Sequence, residues 1–296
     1  MKIRQAILFF ILTISLFFVS CNSDENFIDQ GYTTTQEMRI DVSYGEHPLQ
    51  TYDLFLPAGR SQDSTKIIML IHGGGWIDGD KTDMQDIFDL LRLKHPNHAI
   101  VNVNYVLANS QTPAFPNQFL DIATIIEKLT YESSLLHINP TFGIIGASAG
   151  AHIGLMYDYV YDLTDQVKFV ASVVGPTDFT DPFYADNPEF ELLLDFLVDT
   201  DAYADDVDLA IAISPAFQVS ETSSPTTMFY GNQDPLVPIN NAYTLRSALN
   251  TFDVENSLSV FNGGHGDDWS ELEIASMQSK ISQYINTYLA IEATEE

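Results

Sequence analysis

At 296 residues the chain can form one large α/β domain or two small ones, and its 45% hydrophobic content is ample for a buried core. With 12 Lys and Arg against 41 Asp and Glu, the formal charge of −29 repels phosphate backbones and argues against a nucleic-acid partner. The 13 prolines and 16 glycines follow no period of the kind that marks solenoids or propellers, so a globular, unrepeated fold is expected.

In chain order, Lys2 and Arg4 precede an almost wholly apolar run, Ala6–Val19, and Ser20-Cys21 follows before the polarity jumps at Asn22. A basic start, a short apolar run and a small residue at a cleavage point describe an export signal over residues 1–20, too short for a permanent span. Cys21 is the sole cysteine, which excludes an intrachain disulfide. Phe18-Val19-Ser20-Cys21 resembles the lipobox of bacterial lipoproteins, with Phe18 in place of the usual Leu. That resemblance implies lipidation at Cys21, a membrane partner through the lipid anchor, and export, with the acidic residues after Cys21 similar to the surface-export signal of some Gram-negative lipoproteins. Residues 21–37 are polar and aperiodic and read as a tether to a domain spanning 38–296.

That domain opens with two alternating runs, Arg39–Tyr44 and Thr51–Leu56, joined by a turn-rich stretch suited to an antiparallel hairpin. Lys66–Ile71 is then continuously apolar, as a strand buried on both faces requires. After it, periodicity predicts helix Asp83–Lys94, strand Ala99–Val103, helix Pro116–Tyr131, strand Thr141–Gly146, helix Ala149–Tyr161 and strand Lys168–Val174. Strand Thr226–Tyr230, helix Ile239–Phe252, strand Ser257–Phe261 and helix Ser270–Ala290 close the series. The alternation predicts an α/β fold: a mainly parallel sheet of about eight strands covered by helices on both faces. Residues 178–213 interrupt it with an acidic, aromatic stretch in which Phe190, Leu193, Leu194, Phe196 and Leu197 suit an amphipathic helix. Such an insertion is either a small helical lid or a crossover helix with a long loop.

Three glycine-rich stretches carry candidate chemistry. His72-Gly73-Gly74-Gly75-Trp76 follows the first buried strand, and glycines let a backbone curl its N–H groups toward a developing oxyanion. The N–H groups of Gly74 and Gly75, with that of Ala149, are the candidate oxyanion donors; His72 is expected to brace the loop and Trp76 to pack beside the pocket. Gly146-Ala147-Ser148-Ala149-Gly150 matches G-x-S-x-G between a strand and a helix, the context in which a sharp turn exposes a nucleophilic serine, here Ser148. In this motif's fold the acid and then the base follow the serine in the chain. Of the seven histidines only His152 and His265 do so; His152 is tied to the helix just after Ser148, which leaves His265 within Asn262-Gly263-Gly264-His265-Gly266. Asp234, in the loop after strand Thr226–Tyr230, is the expected acid, with Asp178 the competitor and Asp267 and Asp268 too near His265 to orient it. No metal-ligand pattern, dinucleotide fingerprint or P-loop is evident, so no metal or cofactor is expected.

Taken together, HGGGW, GASAG, GNQDPLVP and GGHG resemble the α/β-hydrolase esterases, in particular the carbohydrate-deacetylase and feruloyl-esterase-like branch near hormone-sensitive lipase. The resemblance runs from about Val42 to the C-terminus. Ala147 departs from it where the hormone-sensitive-lipase group has an acidic residue, and Phe229-Tyr230-Gly231 replaces the commoner His-Gly. It implies hydrolysis of a small-molecule or polysaccharide-linked carboxylic ester, with acetyl or feruloyl groups on plant polysaccharides as candidate substrates. Kynurenine formamidases share an HGG-W loop, so amide hydrolysis is the alternative reaction. A non-catalytic binding protein on the same fold is the alternative from another class.

Overall fold

A computed structural model describes residues 34–291. The expected signal peptide and Cys21 lie outside the described residues. The domain begins earlier than the composition of the tether suggested. Thr34 accepts from the Gly59 amide at 2.8 Å, and the Arg60 guanidinium reaches both the Thr35 carbonyl and Glu37. One buried arginine thus fixes a stretch that lacks any apolar pattern.

Eight strands form one sheet: β1 (Glu37–Ser43), β2 (Thr51–Leu56), β3 (Ile67–Ile71), β4 (Ala99–Val103), β5 (Phe142–Ala147), β6 (Val167–Val173), β7 (Thr226–Gly231) and β8 (Asn256–Phe261). Their spatial order is β1-β2-β4-β3-β5-β6-β7-β8. β1 and β2 pair antiparallel, as does β2 with β4, and all later pairs are parallel. The predicted hairpin is present, with a register shift between Arg39 and Val42 where Asp41 adopts φ 53°. A bulge of this kind adds a residue to one strand and is invisible to an alternation count.

Helices cover both faces. They are α1 (Gln85–Lys94), α2 (Asn117–Tyr131), α3 (Ser133–Leu136), α4 (Ala149–Met156), α5 (Pro182–Ala185), α6 (Pro188–Leu197), α7 (Leu209–Ala212), α8 (Asn240–Thr251) and α9 (Glu271–Tyr288). The pleat of β3 divides the core in two. Ile67, Met69 and Ile71 pack with α2, α4 and α8, whereas Ile68 and Leu70 pack with Phe88 of α1 and Met277, Ile281 and Ile285 of α9. Full burial of each such side chain is worth about 1.5–3 kcal/mol, so a strand buried on both faces anchors two layers at once. The predicted helix Ala149–Tyr161 is α-helical to Met156 and then widens into a π-turn over Tyr157–Tyr161. Similarly, the start predicted at Asp83 falls within a 3-10 turn, Lys81–Met84, whose N-cap Asp80 forms a capping box with Asp83.

Residues 178–213 lie within the connection between β6 and β7, which spans residues 174–225, and contain α5, α6 and α7. Asp181 caps α5 and Asn187 caps α6, each followed by proline at the first helical position. The stretch is pinned rather than loose: Phe115 N donates to Leu197 O at 2.8 Å, Asp199 N to Phe115 O at 2.8 Å, and Phe179 N to Ser214 Oγ at 2.8 Å.

Candidate active site

Ser148 follows β5 and caps α4 with φ 51° and ψ −118°, a region that costs an L-residue about 1–3 kcal/mol. Close packing sustains the turn. A Cβ on Gly150 would overlap the carbonyl oxygens of Ile71 and His72, so only glycine lets the start of α4 come this near β3. The turn lifts the Ser148 hydroxyl to the carboxyl-terminal edge of the sheet, where ligands of open α/β sheets bind.

His265 reaches Ser148 from the loop after β8. Its Nε2 lies 2.9 Å from Ser148 Oγ, and its Nδ1 lies 2.7 Å from Asp234 Oδ2. Because the carboxylate only accepts, Nδ1 carries the hydrogen and Nε2 is free to take the serine proton. The Asp234 side chain is fully buried, and its other oxygen accepts from the Leu236 and Val237 amides at 2.8 and 3.0 Å. Burial pushes its pKa up, but the hydrogen bonds from His265, Val237 and Leu236 outweigh burial and hold it below the ordinary Asp value. Asp178, the competitor, instead bonds the Thr180 amide and hydroxyl at 2.9 and 2.6 Å. Asp268 bears on the site differently from expected: its Oδ1 accepts from Gly264 N at 2.7 Å and so holds the backbone beside His265. Glu273, at the start of α9, accepts from Asn262 N at 2.8 Å and holds the near side of the same loop.

The glycine loop turns through three successive positive φ values, 113° at Gly74, 58° at Gly75 and 67° at Trp76. Gly74 O closes the turn by accepting from Ile77 and Asp78 N, while among the described residues the N–H groups of Gly74, Gly75 and Ala149 have no protein acceptor. Gly75 lines the cavity beside Ser148. His72 stacks on Tyr105 at 4.3 Å and its Nδ1 bonds Gly73 O at 2.6 Å, and burial pushes its pKa down, so it sits as a neutral brace without a bond to Ser148. Trp76 lines the cavity, as its place beside the glycines suggested.

The cavity itself encloses about 410 Å³. One wall comes from the β6–β7 connection through Phe179, Phe183, Tyr184, Asn187, Phe190 and Leu193, and the other from Pro235, Leu236 and Val237 of the Asp234 loop. Tyr184 joins the walls by donating to Leu236 O at 3.1 Å. Among the described residues no carboxylate, lysine, arginine or histidine lines the cavity. The aromatic residues at 179–190 were missed as site residues, although the density of Phe and Tyr there was a usable signal. Among the described residues no group of three or more His, Cys, Asp or Glu could hold a metal ion. A hydroxyl, an imidazole and a buried carboxylate in series can activate the serine for attack on a carbonyl carbon.

The family model described as BD-FAE matches residues 52–249, a span that contains Ser148 and Asp234 and stops before His265. Arylacetamide deacetylase of Bos taurus is 25% identical over 178 residues, covering 55% of this chain and 43% of that protein, so the chain aligns with less than half of this relative's length. Among solved structures, a truncated carbohydrate esterase from gut microbiota superposes with a TM-score of 0.68 at 17% identity, covering 86% of this chain and 98% of that one. The thermophilic esterase Est2 of Thermogutta terrifontis gives a TM-score of 0.69 at 16% identity over 88% of this chain and 95% of its own.

Proposed function

The chain belongs to the BD-FAE family, a family of α/β-hydrolase esterases, and from that premise we propose that it hydrolyses carboxylic esters through an acyl-enzyme on Ser148. The observation that carries the reading is the unbroken series from Ser148 Oγ through His265 to the buried Asp234, opening into an apolar cavity. In the proposed reaction Ser148 Oγ attacks the ester carbonyl as His265 Nε2 takes its proton, and Asp234 stabilises the imidazolium that forms. The oxyanion is received by the amides of Gly74, Gly75 and Ala149, each worth about 3 kcal/mol in the transition state. Collapse breaks the ester C–O bond, and His265 returns the proton to the departing alcohol. Water then attacks the acyl-enzyme with His265 as base, which releases the carboxylic acid and restores the serine.

A cavity of about 410 Å³ without charged lining favours an uncharged acyl group of small or aromatic type. Likeness to a carbohydrate esterase supports an ester carried on a sugar, acetyl or feruloyl. Anchoring at Cys21 would display the enzyme outside the cell, beside such polymers. The test is a panel of p-nitrophenyl esters with acetylated xylan, methyl ferulate and N-formylkynurenine, run with wild type and Ser148→Ala. Ester turnover that Ser148→Ala abolishes is expected. Preference for the formamide would transfer the reading to amide hydrolysis, and activity of Ser148→Ala close to wild type would remove the nucleophile.

A further inference from the structure

His152, set aside by the sequence as a base, occupies a junction that the proposed reaction does not use. It is fully buried, with its ring 5.0 to 5.6 Å from those of Phe115, Phe119, Phe179 and Trp76. Three hydrogen bonds leave it. Trp76 Nε1–H donates to its Nδ1 at 3.2 Å, its Nε2 faces Ile213 O at 2.8 Å, and its backbone N–H donates to Ser148 O at 3.2 Å. A carbonyl only accepts and an indole N–H only donates, so the ring is the neutral tautomer with hydrogen on Nε2. Burial agrees, pushing its pKa down to about 4.

The oxyanion donors come from two separate chain segments, the Gly74-Gly75 loop and the start of α4. Their relative position must hold to a fraction of an ångström if both are to meet one oxygen. Trp76 directly follows the first segment in a left-handed conformation that a bulky residue keeps only when its surroundings over-determine it. Its carbonyl accepts from Ala108 N and Gln118 Nε2, and its side chain has the single polar anchor on His152. His152 in turn lies one helical turn after Ser148 and bonds the serine carbonyl.

We propose that His152 is a positioning residue that fixes the Gly74–Trp76 loop against the Ser148 turn, and so sets the two halves of the oxyanion site relative to each other. Through Ile213 O the same ring also registers the residue that follows α7 in the β6–β7 connection. The inference rests on Ser148 being the nucleophile. Loss of the anchor removes an interaction that counts in the transition state, so the penalty falls on kcat, equally for short and long acyl groups, with KM little changed.

The test compares wild type, His152→Leu, His152→Gln and Trp76→Phe with p-nitrophenyl acetate and butyrate, and follows the Trp76 indole N–H by hydrogen exchange in NMR spectra. With two tryptophans in the chain, Trp76→Phe assigns the resonance. His152→Leu is expected to lose about 10²-fold in kcat, the scale of one oxyanion donor, with both esters affected alike and indole protection lost. His152→Gln, which can accept from the indole and donate to Ile213, should recover most of both. Adding His152→Leu to Trp76→Phe should cost little more than Trp76→Phe alone. A loss confined to KM, full additivity, or a protected indole in His152→Leu overturns the proposal. If His152→Leu does not fold, His152→Gln and Trp76→Phe decide it: His152→Gln no better than Trp76→Phe in kcat, or with an unprotected indole, overturns it. The indole readout does not depend on the reaction, so active Ser148→Ala would unseat the nucleophile while protection still reports the anchor.

Discussion

Gly231→Ala isolates the placement of His265 without altering any residue of the site. Gly231 ends β7, three residues before Asp234, and a Cβ there would overlap the carbonyl oxygens of Gly264 and Gly263 and lie 2.9 Å from the Gly263 carbonyl carbon. These are backbone atoms, which cannot swing aside as a side chain would. Restoring an ordinary separation of about 3.5 Å moves the loop by on the order of 1 Å. The loop resists, because Gly263 O is held by Gln233 N at 2.9 Å and Gly264 by Asp268 and Trp269. His265 follows directly, so its 2.9 Å contact with Ser148 Oγ stretches beyond hydrogen-bond reach. A misplacement of about 1 Å costs roughly 10² in rate, and overpacking costs about 1–3 kcal/mol of stability. The assay is kcat and KM on p-nitrophenyl acetate, normalised to the folded fraction from a thermal melt. Gly59→Ala, whose Cβ meets nothing within 4 Å but whose φ of 67° strains an alanine, serves as the control for a loss of stability without displacement of the loop. A Gly231→Ala enzyme within about threefold of wild-type kcat, or a loss that tracks unfolding alone, would refute the reasoning.

Asp234→Asn should lower kcat by up to about 10⁴ by presenting the wrong imidazole tautomer, while Asp178→Asn, whose carboxylate bonds Thr180 and not His265, should be mild; steady-state kinetics on folded protein gives the ranking. Asp268→Ala removes the acceptor for Gly264 N and should lower kcat by less than Asp234→Asn does, with KM nearly unchanged in the same assay. Buried Asp158, which accepts from Ser224 N and Oγ, has its pKa pushed up to about 7 by burial, above the ordinary 3.8. The folded state therefore holds the proton more tightly, so wild type should lose about 4 kcal/mol relative to Asp158→Asn as pH rises from 4 through 7, read from urea unfolding at each pH. Intact-mass analysis of chain made in a lipoprotein-processing host should find the mature terminus acylated at Cys21, and Cys21→Ser should abolish membrane partitioning; an unmodified terminus cut elsewhere would remove the anchor.

Strand positions were legible from two signals, alternation in Arg39–Tyr44 and Thr51–Leu56 and an unbroken apolar run where a strand is buried on both faces, as in Lys66–Ile71. Thr51–Leu56 and Ala99–Val103 match the predicted bounds, and the other strands begin and end within two residues of them. Helix ends were less legible where the hydrogen-bond pattern changes without a change in polarity. Tyr157–Tyr161 keeps the apolar rhythm of α4 yet adopts the wider π-turn, and Lys81–Met84 tightens to 3-10. Ser148, Asp234 and His265 were legible for another reason: each sits in a short loop after a recognisable strand, so strand order alone ranks the candidates.

The walls of the cavity and the junction at His152 were not legible, and the cause is the same for both. Their partners come from segments whose separation in sequence carries no period: Trp76 meets His152 across 76 positions, and His152 meets Ile213 across 61. Residues 178–213 offered two readings, lid or crossover, because local pattern cannot tell whether a short helix covers a sheet or a site. In the fold the segment is part of the β6–β7 connection and also one wall of the cavity beside Ser148. The same isolation explains the reading of His152. A histidine on the first turn after Ser148 is tied to its helix and so faces away from the hydroxyl as a base, whereas its bonds run to Trp76 and Ile213, which no motif links to it. Motifs therefore bring Ser148, His265 and Asp234 into view, and the contacts that hold them in register arise only when distant segments pack.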